Sequence, residues 1–306
     1  MSKVVVVRRS GAESGDEFTN DHYRALLDVA LPILSGMDDV SAAVKKYFPG
    51  GRVGMKVNCL TRRYTCTPVA LTEAFLDVLE NAGFDANDLV VWERTSGELQ
   101  RAGYTLNASS FGRRCLGTDS RSVGYGRVFH SYGDVSSLIS RVLLEMVDHN
   151  VNLPVLKDHS LAGLSGGLKN MFGAINNPNK YHDNNCNPFV AHVANLQPIR
   201  DKHRLTIMDA VRVQYDQGPG YSSDYIADYH GLIISNDPVA ADRVGLEVLE
   251  HFRRARGLPT LAQAGRPARY LASAQEIGLG VADMDRIDLS VRIVDEGGQV
   301  RPGRLF

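Results

Sequence analysis

Strand-like apolar runs alternate with amphipathic helical patterns along most of this chain of 306 residues. The clearest unit has an apolar run at residues 53–57, Thr67-Pro68 ahead of a helical apolar stripe, and a second apolar run at residues 89–92. A helix between two such runs is the usual crossover between parallel strands, because parallel strands need a long connection. We therefore predict an α/β fold with a mainly parallel sheet and flanking helices.

The pattern continues to the end of the chain. Asp134 is predicted to cap a helix reaching Met146, and Asp237-Pro238 to open another, since proline suits the first position of a helix. Further strands are predicted at residues 4–7, 151–156, 205–208 and 232–234, with a final edge strand at 287–294. Neither a short repeat nor a linker divides the chain, so we predict one unit, 1–306, with two interleaved lobes, 1–148 and 149–306, as the alternative.

The composition argues against several kinds of partner. The chain has 34 Lys and Arg against 35 Asp and Glu, which gives no overall attraction to nucleic acid. Apolar runs stay well short of the roughly 18 residues needed to span a membrane. We expect a cytoplasmic protein, with removal of an export leader as the alternative, and leave open whether the chain forms a homo-oligomer.

Polar residues follow the predicted strands where each strand ends. Ligands of open parallel sheets bind beyond the carboxyl ends of the strands, so we predict a site there. For each residue alone the simpler interpretation is a solvated side chain or a turn. The residues at these ends are Lys56 and Asn58, then Lys157, Asp158 and His159, and finally Asp209, which we assign a catalytic role.

Glycines surround Lys169-Asn170, at positions 163, 166, 167 and 173. Their spacing fits neither the phosphate loop of nucleotide hydrolases nor the dinucleotide fingerprint. Two interpretations are equally favoured: a cradle in which Lys169, Asn170 and free backbone N–H groups bind a carboxylate or phosphate, or tight helix packing. Lys180, in the polar loop that follows, is a further candidate for contacting the anion.

His159, His182 and Cys186 form the best candidate set for a metal ion. His182 and Cys186 are four residues apart, so one loop can offer an imidazole and a thiolate. The ion would be divalent iron, zinc or nickel, or the centre would be an iron–sulfur cluster. Without metal, the same residues are candidates for an activated thiol or a proton-transfer pair, and Cys59 for a second reactive thiol.

Four short motifs occur in a fixed order along the chain: Lys56-Val57-Asn58, Lys157-Asp158-His159, Gly167-Leu168-Lys169-Asn170 and Asp237-Pro238-Val239-Ala240, with Asp242 after them. They resemble the motifs of domain-of-unknown-function family three-six-two, and the likeness extends from about Gly51 to Gly245. Some members of that family look like iron–sulfur proteins with an added cysteine module, which this sequence lacks, so the resemblance implies a site more than a reaction.

These observations favour an enzyme that acts on a small anionic molecule bearing a carboxylate or a phosphate. Its lysines would hold the anion while histidines bind a metal or move protons, as in a metal-dependent oxidoreductase or lyase. Two alternatives remain. One is a metal-free enzyme that uses a cysteine nucleophile, and the other is a non-catalytic protein that binds a ligand or a metal.

Overall fold

The computed structural model describes residues 1–61, 65–121 and 123–306. The strands in this part of the chain are β1 (Ser2–Arg9), β2 (Val53–Val57), β3 (Leu89–Glu93), β4 (Arg114–Gly117), β5 (His130–Tyr132), β6 (Val135–Ser137), β7 (His149–Leu153), β8 (Val155–His159), β9 (Gly163–Ser165), β10 (His203–Gln214), β11 (Ile226–Ser235), β12 (Ile287–Val294) and β13 (Val300–Pro302). The α-helices are α1 (Asn20–Ser35), α2 (Val40–Tyr47), α3 (Val69–Asn81), α4 (Ser96–Arg101), α5 (Gly167–Asn170), α6 (Phe189–Ala194), α7 (Gln197–Lys202), α8 (Pro238–Ala255) and α9 (Tyr270–Glu276).

One large, mainly parallel sheet organises the molecule, as predicted. Its main order is β13-β12-β1-β11-β10-β7-β2-β3-β4, and β8 joins it beside β10 and carries β9. The contiguous strands β10, β7, β2, β3 and β4 are mutually parallel, so their carboxyl ends meet at one edge. Strands from both halves of the sequence therefore belong to a single sheet, in which β1 lies between β12 and β11.

The sheet is covered on both faces, which explains its continuous apolar strands. In β1, Val5 and Val7 belong to the apolar core that α1, α2 and α3 cover, whereas Val4 and Val6 face the opposite core, which includes residues of α6, α8 and α9. Successive side chains of a strand point to opposite faces, so a strand between two helical layers buries every residue. The four valines are completely buried.

One predicted helix start is confirmed by its capping residue, and another differs by one residue. Asp237 accepts hydrogen bonds from the backbone N–H groups of Val239 and Ala240, which confirms the predicted start of α8. For α3, the sequence predicts Thr67 as the N-cap and Pro68 as the first helical residue, whereas Pro68 is the N-cap in the structure and the helix starts one residue later. The Thr67 hydroxyl instead accepts from the Asn58 N–H and donates to the Leu153 carbonyl, and it thereby ties two strand ends together.

Three predicted elements differ from the structure. The helix predicted from Asp134 to Met146 is a short strand, β6, followed by a π-helical turn at Val142–Met146, because β6 pairs with β5. The strand predicted at 151–156 is divided by Pro154 into β7 and β8. The predicted edge strand β12 lies between β1 and β13, so β13 is at the edge. No helix in the described ranges is both long and apolar enough to cross a membrane.

Candidate functional site

The carboxyl ends of β2, β3 and β8 and the helix α5 surround a cavity of about 240 Å³, which we call the lysine pocket. Six of the predicted site residues line it: Asn58, Lys157, His159, Lys169, Asn170 and His182. The predicted convergence of strand-end side chains is thus present in the structure.

Lys56 lies behind the wall of the lysine pocket and is completely buried. Its ammonium forms an ion pair of 3.0 Å with Glu93 and donates to the Val57 carbonyl. It also lies 3.4 Å from the Asn170 amide oxygen, which accepts from Asn58 as well. Lys56 therefore holds the wall of the pocket, with its charge compensated by Glu93.

Lys157 reaches the pocket from β8 and is surrounded by neutral acceptors. Its ammonium donates to the Asn58 side-chain oxygen at 2.9 Å, the Thr61 hydroxyl at 2.9 Å and the Thr65 carbonyl at 2.7 Å. Burial lowers the pKa of Lys157 to about 8, although nearby thiols and Glu93 act in the opposite direction. Neutral hydrogen-bond acceptors therefore stabilise the charged form of Lys157 only in part, and its removal from water remains costly.

Lys169 and His182 form a hydrogen-bonded pair inside the pocket. Lys169 Nζ lies 3.1 Å from His182 Nε2 and 3.8 Å from the centre of the Phe172 ring. His182 Nδ1 lies 3.0 Å from the Pro178 carbonyl, so Nδ1 carries the ring proton and Nε2 accepts from the lysine. Burial lowers the pKa of Lys169 to about 8 and also lowers the pKa of His182.

His159 faces the same cavity as a neutral imidazole. Its Nδ1 accepts from the backbone N–H groups of Leu161 and Ala162, both at 3.2 Å, so the ring proton is on Nε2. Burial, with help from Lys169 and His182, lowers the pKa of His159 to about 3. His159 therefore offers the pocket a hydrogen-bond donor.

The structure brings two of the proposed metal ligands, His159 and His182, together with their ring centres 6.0 Å apart, but it leaves the third, Cys186, outside the pocket. The Nδ1 lone pair of His159 is used by two N–H groups, and the Nε2 lone pair of His182 accepts from Lys169. Cys186 is completely buried in the apolar core, with its sulfur 3.8 Å from the His182 carbonyl. Across residues 1–61, 65–121 and 123–306, no three His, Cys, Asp or Glu side chains are placed to hold a metal ion. The donors as arranged do not fit a metal or an iron–sulfur centre.

Two other predicted residues lie outside the lysine pocket. Asp209 faces a separate cavity of about 470 Å³, which we call the Asp209 cavity and which Tyr23, Cys66 and Arg212 also line. The Tyr23 hydroxyl donates to Asp209 at 3.0 Å, and burial raises the pKa of that carboxyl to about 7. Lys180, in a short 3₁₀ turn, is exposed at the surface, with its ammonium 5.8 Å from the centre of the Tyr181 ring.

The glycines around α5 serve packing. Both oxygens of Asp242, on α8, accept from the N–H groups of Gly167 and Leu168 at the start of α5. A side chain at position 166 would collide with that carboxylate. The N–H groups of Gly167 and Leu168 are therefore already occupied by Asp242 and are not free to bind an anion, whereas Lys169 and Asn170 line the lysine pocket.

Asp158 holds the neighbouring turn. It forms an ion pair with Arg266, which also contacts Asp216, and it accepts from the Gly218 N–H at 2.8 Å. Sequence reasoning missed Arg266 and Asp216, because their partners are distant along the chain. It also missed Glu93, although Glu93 ends β3 and the strand-end rule used for Lys157 would have found it.

The profile of a family described as a domain of unknown function (DUF362) matches residues 53–247, which include every residue that lines the lysine pocket. The chain belongs to this family. No curated protein matches the DUF362 chain significantly. A crystal structure of a Thermotoga maritima protein, a structural genomics target, is 12% identical and has a TM-score of 0.39. That likeness covers 81% of this chain and 61% of the Thermotoga protein, so the chain spans less than two thirds of it.

Proposed function

We propose that the lysine pocket binds a small molecule bearing a carboxylate or a phosphate, and that the chain is an enzyme that transfers a proton on this molecule, as a lyase does. The observation that carries the proposal is the pair of buried ammonium groups at Lys157 and Lys169. Neither has a carboxylate within ion-pair distance among the residues that the structure describes.

The other charges of the pocket compensate one another. Glu93 pairs with Lys56 at 3.0 Å, and Glu98 pairs with Arg94 at 2.7 Å. The pocket therefore retains an excess positive charge from the two remaining lysines. A buried charge without a counter-charge is costly, and an anionic ligand offsets that cost, which supports binding of an anion over binding of a neutral or cationic molecule.

The same groups support proton transfer. A lysine with a pKa near 8 holds a proton at neutral pH and releases it readily, as a general acid or base must. His182 accepts from this lysine through Nε2, so the pair can pass a proton between the two nitrogens. His159, neutral and donating from Nε2, would stabilise negative charge that develops on the substrate.

Acid–base chemistry needs only groups that line the pocket. The metal-dependent oxidoreductase or lyase expected from the sequence would require His159, His182 and Cys186 to be arranged differently. We therefore favour the metal-free, proton-transfer form of the proposal. A cysteine nucleophile at Cys186 has less support, because that thiol is buried in the apolar core and burial raises its pKa.

The test uses exchange of substrate hydrogen for deuterium. Wild-type protein is incubated in D₂O with a panel of small carboxylates and phosphate esters that carry an acidic C–H, and deuterium incorporation is measured by mass spectrometry. We expect incorporation into at least one compound, its loss in His182→Gln, and its retention in Lys180→Gln, which alters an exposed lysine nearby. Binding of a carboxylate without exchange of any compound would favour the non-catalytic alternative.

A further inference from the structure

Cys59 and Cys66 lie next to each other at the side of the Asp209 cavity, which Cys66 lines. The Thr67 N–H donates to the Asn58 carbonyl at 2.8 Å, and the Asn58 N–H donates to the Thr67 hydroxyl at 2.8 Å. The two cysteines are the next residues inside this bonded pair. Their thiols share a hydrogen bond, and both side chains are buried.

We propose that Cys59 and Cys66 form a reversible disulfide by exchange with a low-molecular-weight disulfide, and that this bond regulates anion binding in the lysine pocket. The regulatory part rests on the proposed function, whereas formation of the bond does not. The hydrogen-bonded residues Asn58 and Thr67 flank the two cysteines, and the thiols already share a hydrogen bond, so the sulfur atoms are close enough for a disulfide to form with little movement of the chain.

Cys66 is the attacking thiol. Its hydrogen bond from Cys59, together with the positive charge of Lys157, lowers the pKa of Cys66, whereas the same hydrogen bond and burial raise the pKa of Cys59. Thiolates are the nucleophiles in exchange, so Cys66 reacts first. Cys66 also lines the Asp209 cavity, about 470 Å³ in volume, which gives a small oxidant a route to the buried sulfur.

The exchange balances in two steps. The Cys66 thiolate attacks one sulfur of the small disulfide, so that a mixed disulfide forms and one small thiolate leaves. Cys59 then loses its proton to that thiolate and attacks Cys66 Sγ, which expels the second small thiolate. Two protein thiols are oxidised to one disulfide, and one small disulfide is reduced to two small thiols.

A disulfide between Cys59 and Cys66 would affect Lys157, because the hydrogen-bond acceptors of Lys157 lie in the segment that contains the two cysteines. Lys157 donates to Asn58, Thr61 and Thr65, all between or beside the two cysteines. A disulfide joins the two ends of this segment and shifts the acceptors that position the Lys157 ammonium. Because the loss of one well-placed hydrogen bond has a modest energetic cost, we expect phosphate to bind about threefold more weakly, which corresponds to about 0.6 kcal/mol.

The first test is mass spectrometry of reduced protein incubated with oxidised glutathione at pH 8. We expect the loss of two hydrogen atoms and a peptide in which Cys59 and Cys66 are joined. In Cys59→Ser the glutathione should remain attached to Cys66, since the resolving thiol is missing, and Cys115→Ser should behave as wild type. Wild-type protein that keeps both thiols free, or keeps a stable glutathione adduct, would overturn the proposal.

The second test compares inorganic phosphate binding by the reduced and oxidised wild-type protein using calorimetry at pH 8. Weaker binding after oxidation supports the regulatory step, and equal affinity overturns it. Failure of the reduced protein to bind any anion contradicts the proposed function instead, while the disulfide is still judged by its mass. The two failures are therefore distinguishable.

Discussion

Replacing Lys169 with methionine should make the protein more stable while it weakens anion binding. The side chain is almost fully buried, and methionine keeps a similar apolar length. Burial lowers the pKa of Lys169 from its ordinary 10.5 to about 8. Because one pKa unit is about 1.4 kcal/mol, the charged lysine costs the folded state about 3 kcal/mol at pH 7.

Two favourable contacts of Lys169 reduce the expected gain. The hydrogen bond to His182 contributes about 1 kcal/mol, and the contact with the Phe172 ring contributes about 1 kcal/mol. We therefore expect Lys169→Met to raise the free energy of unfolding by about 1 kcal/mol at pH 7. The exposed Lys45 is the matched control, and Lys45→Met should change stability by less than about 0.5 kcal/mol.

The pH dependence of the stability difference between wild type and Lys169→Met is a stricter test than its size at pH 7. The folded-state pKa of Lys169 is lowered, so between pH 8 and 10.5 the unfolded chain binds more protons than the folded one. The free-energy cost of burying the charged lysine is complete below pH 8 and disappears as the pH rises towards 10.5. The stability of the wild type should therefore increase relative to that of Lys169→Met across this interval. Urea unfolding at pH 7, 9 and 10.5 measures the difference. A variant clearly less stable than wild type at pH 7, or a difference unchanged with pH, would refute the reasoning.

Three further predictions follow from the buried charges. Anion affinity should fall as the pH rises through about 8, because Lys157 and Lys169 lose their protons there; titration calorimetry at pH 7 and 9 would show no change if these lysines do not contact the anion. Glu93→Gln should lower the free energy of unfolding by about 3 kcal/mol or more, since it leaves Lys56 buried without a counter-charge, and an unchanged thermal midpoint would contradict this. Asp209→Asn should stabilise the protein at pH 8 but not at pH 4. Burial raises the pKa of the Asp209 carboxyl to about 7, so the wild type bears the full cost of a buried carboxylate only above that pH. Denaturant unfolding of both proteins at pH 8 and pH 4 checks the direction of the difference in stability.

The sequence predicted the fold correctly where strands are buried along their whole length. Strands between two helical layers must be apolar throughout, so β1, β2 and β3 were predictable, and the cap Asp237 marked the start of α8. The failure at residues 134–146 has a physical cause. The apolar spacing there suits a helix, but pairing of β6 with β5 decides the structure, and that pairing is not encoded in local periodicity.

The sequence predicted where the lysine pocket lies better than it predicted the chemistry of its side chains. The rule that parallel strands end at one edge brought Lys157, His159 and Asn58 together correctly. It could not tell which face of a strand each side chain occupies, so it grouped Asp209 with a pocket that it does not line. Spacing also placed His182 beside Cys186, whereas the loop directs the thiol into the core.

The measurement that tests the central claim most directly is the binding of inorganic phosphate and a series of small carboxylates by calorimetry at pH 7. The matched proteins are wild type, Lys157→Met and Lys180→Gln. We predict binding of at least one anion by the wild type, affinity at least about tenfold weaker in Lys157→Met because a charged hydrogen bond is lost, and no change in Lys180→Gln. Equal affinity in all three proteins, or no anion bound by the wild type, would contradict the assignment of the lysine pocket as an anion site.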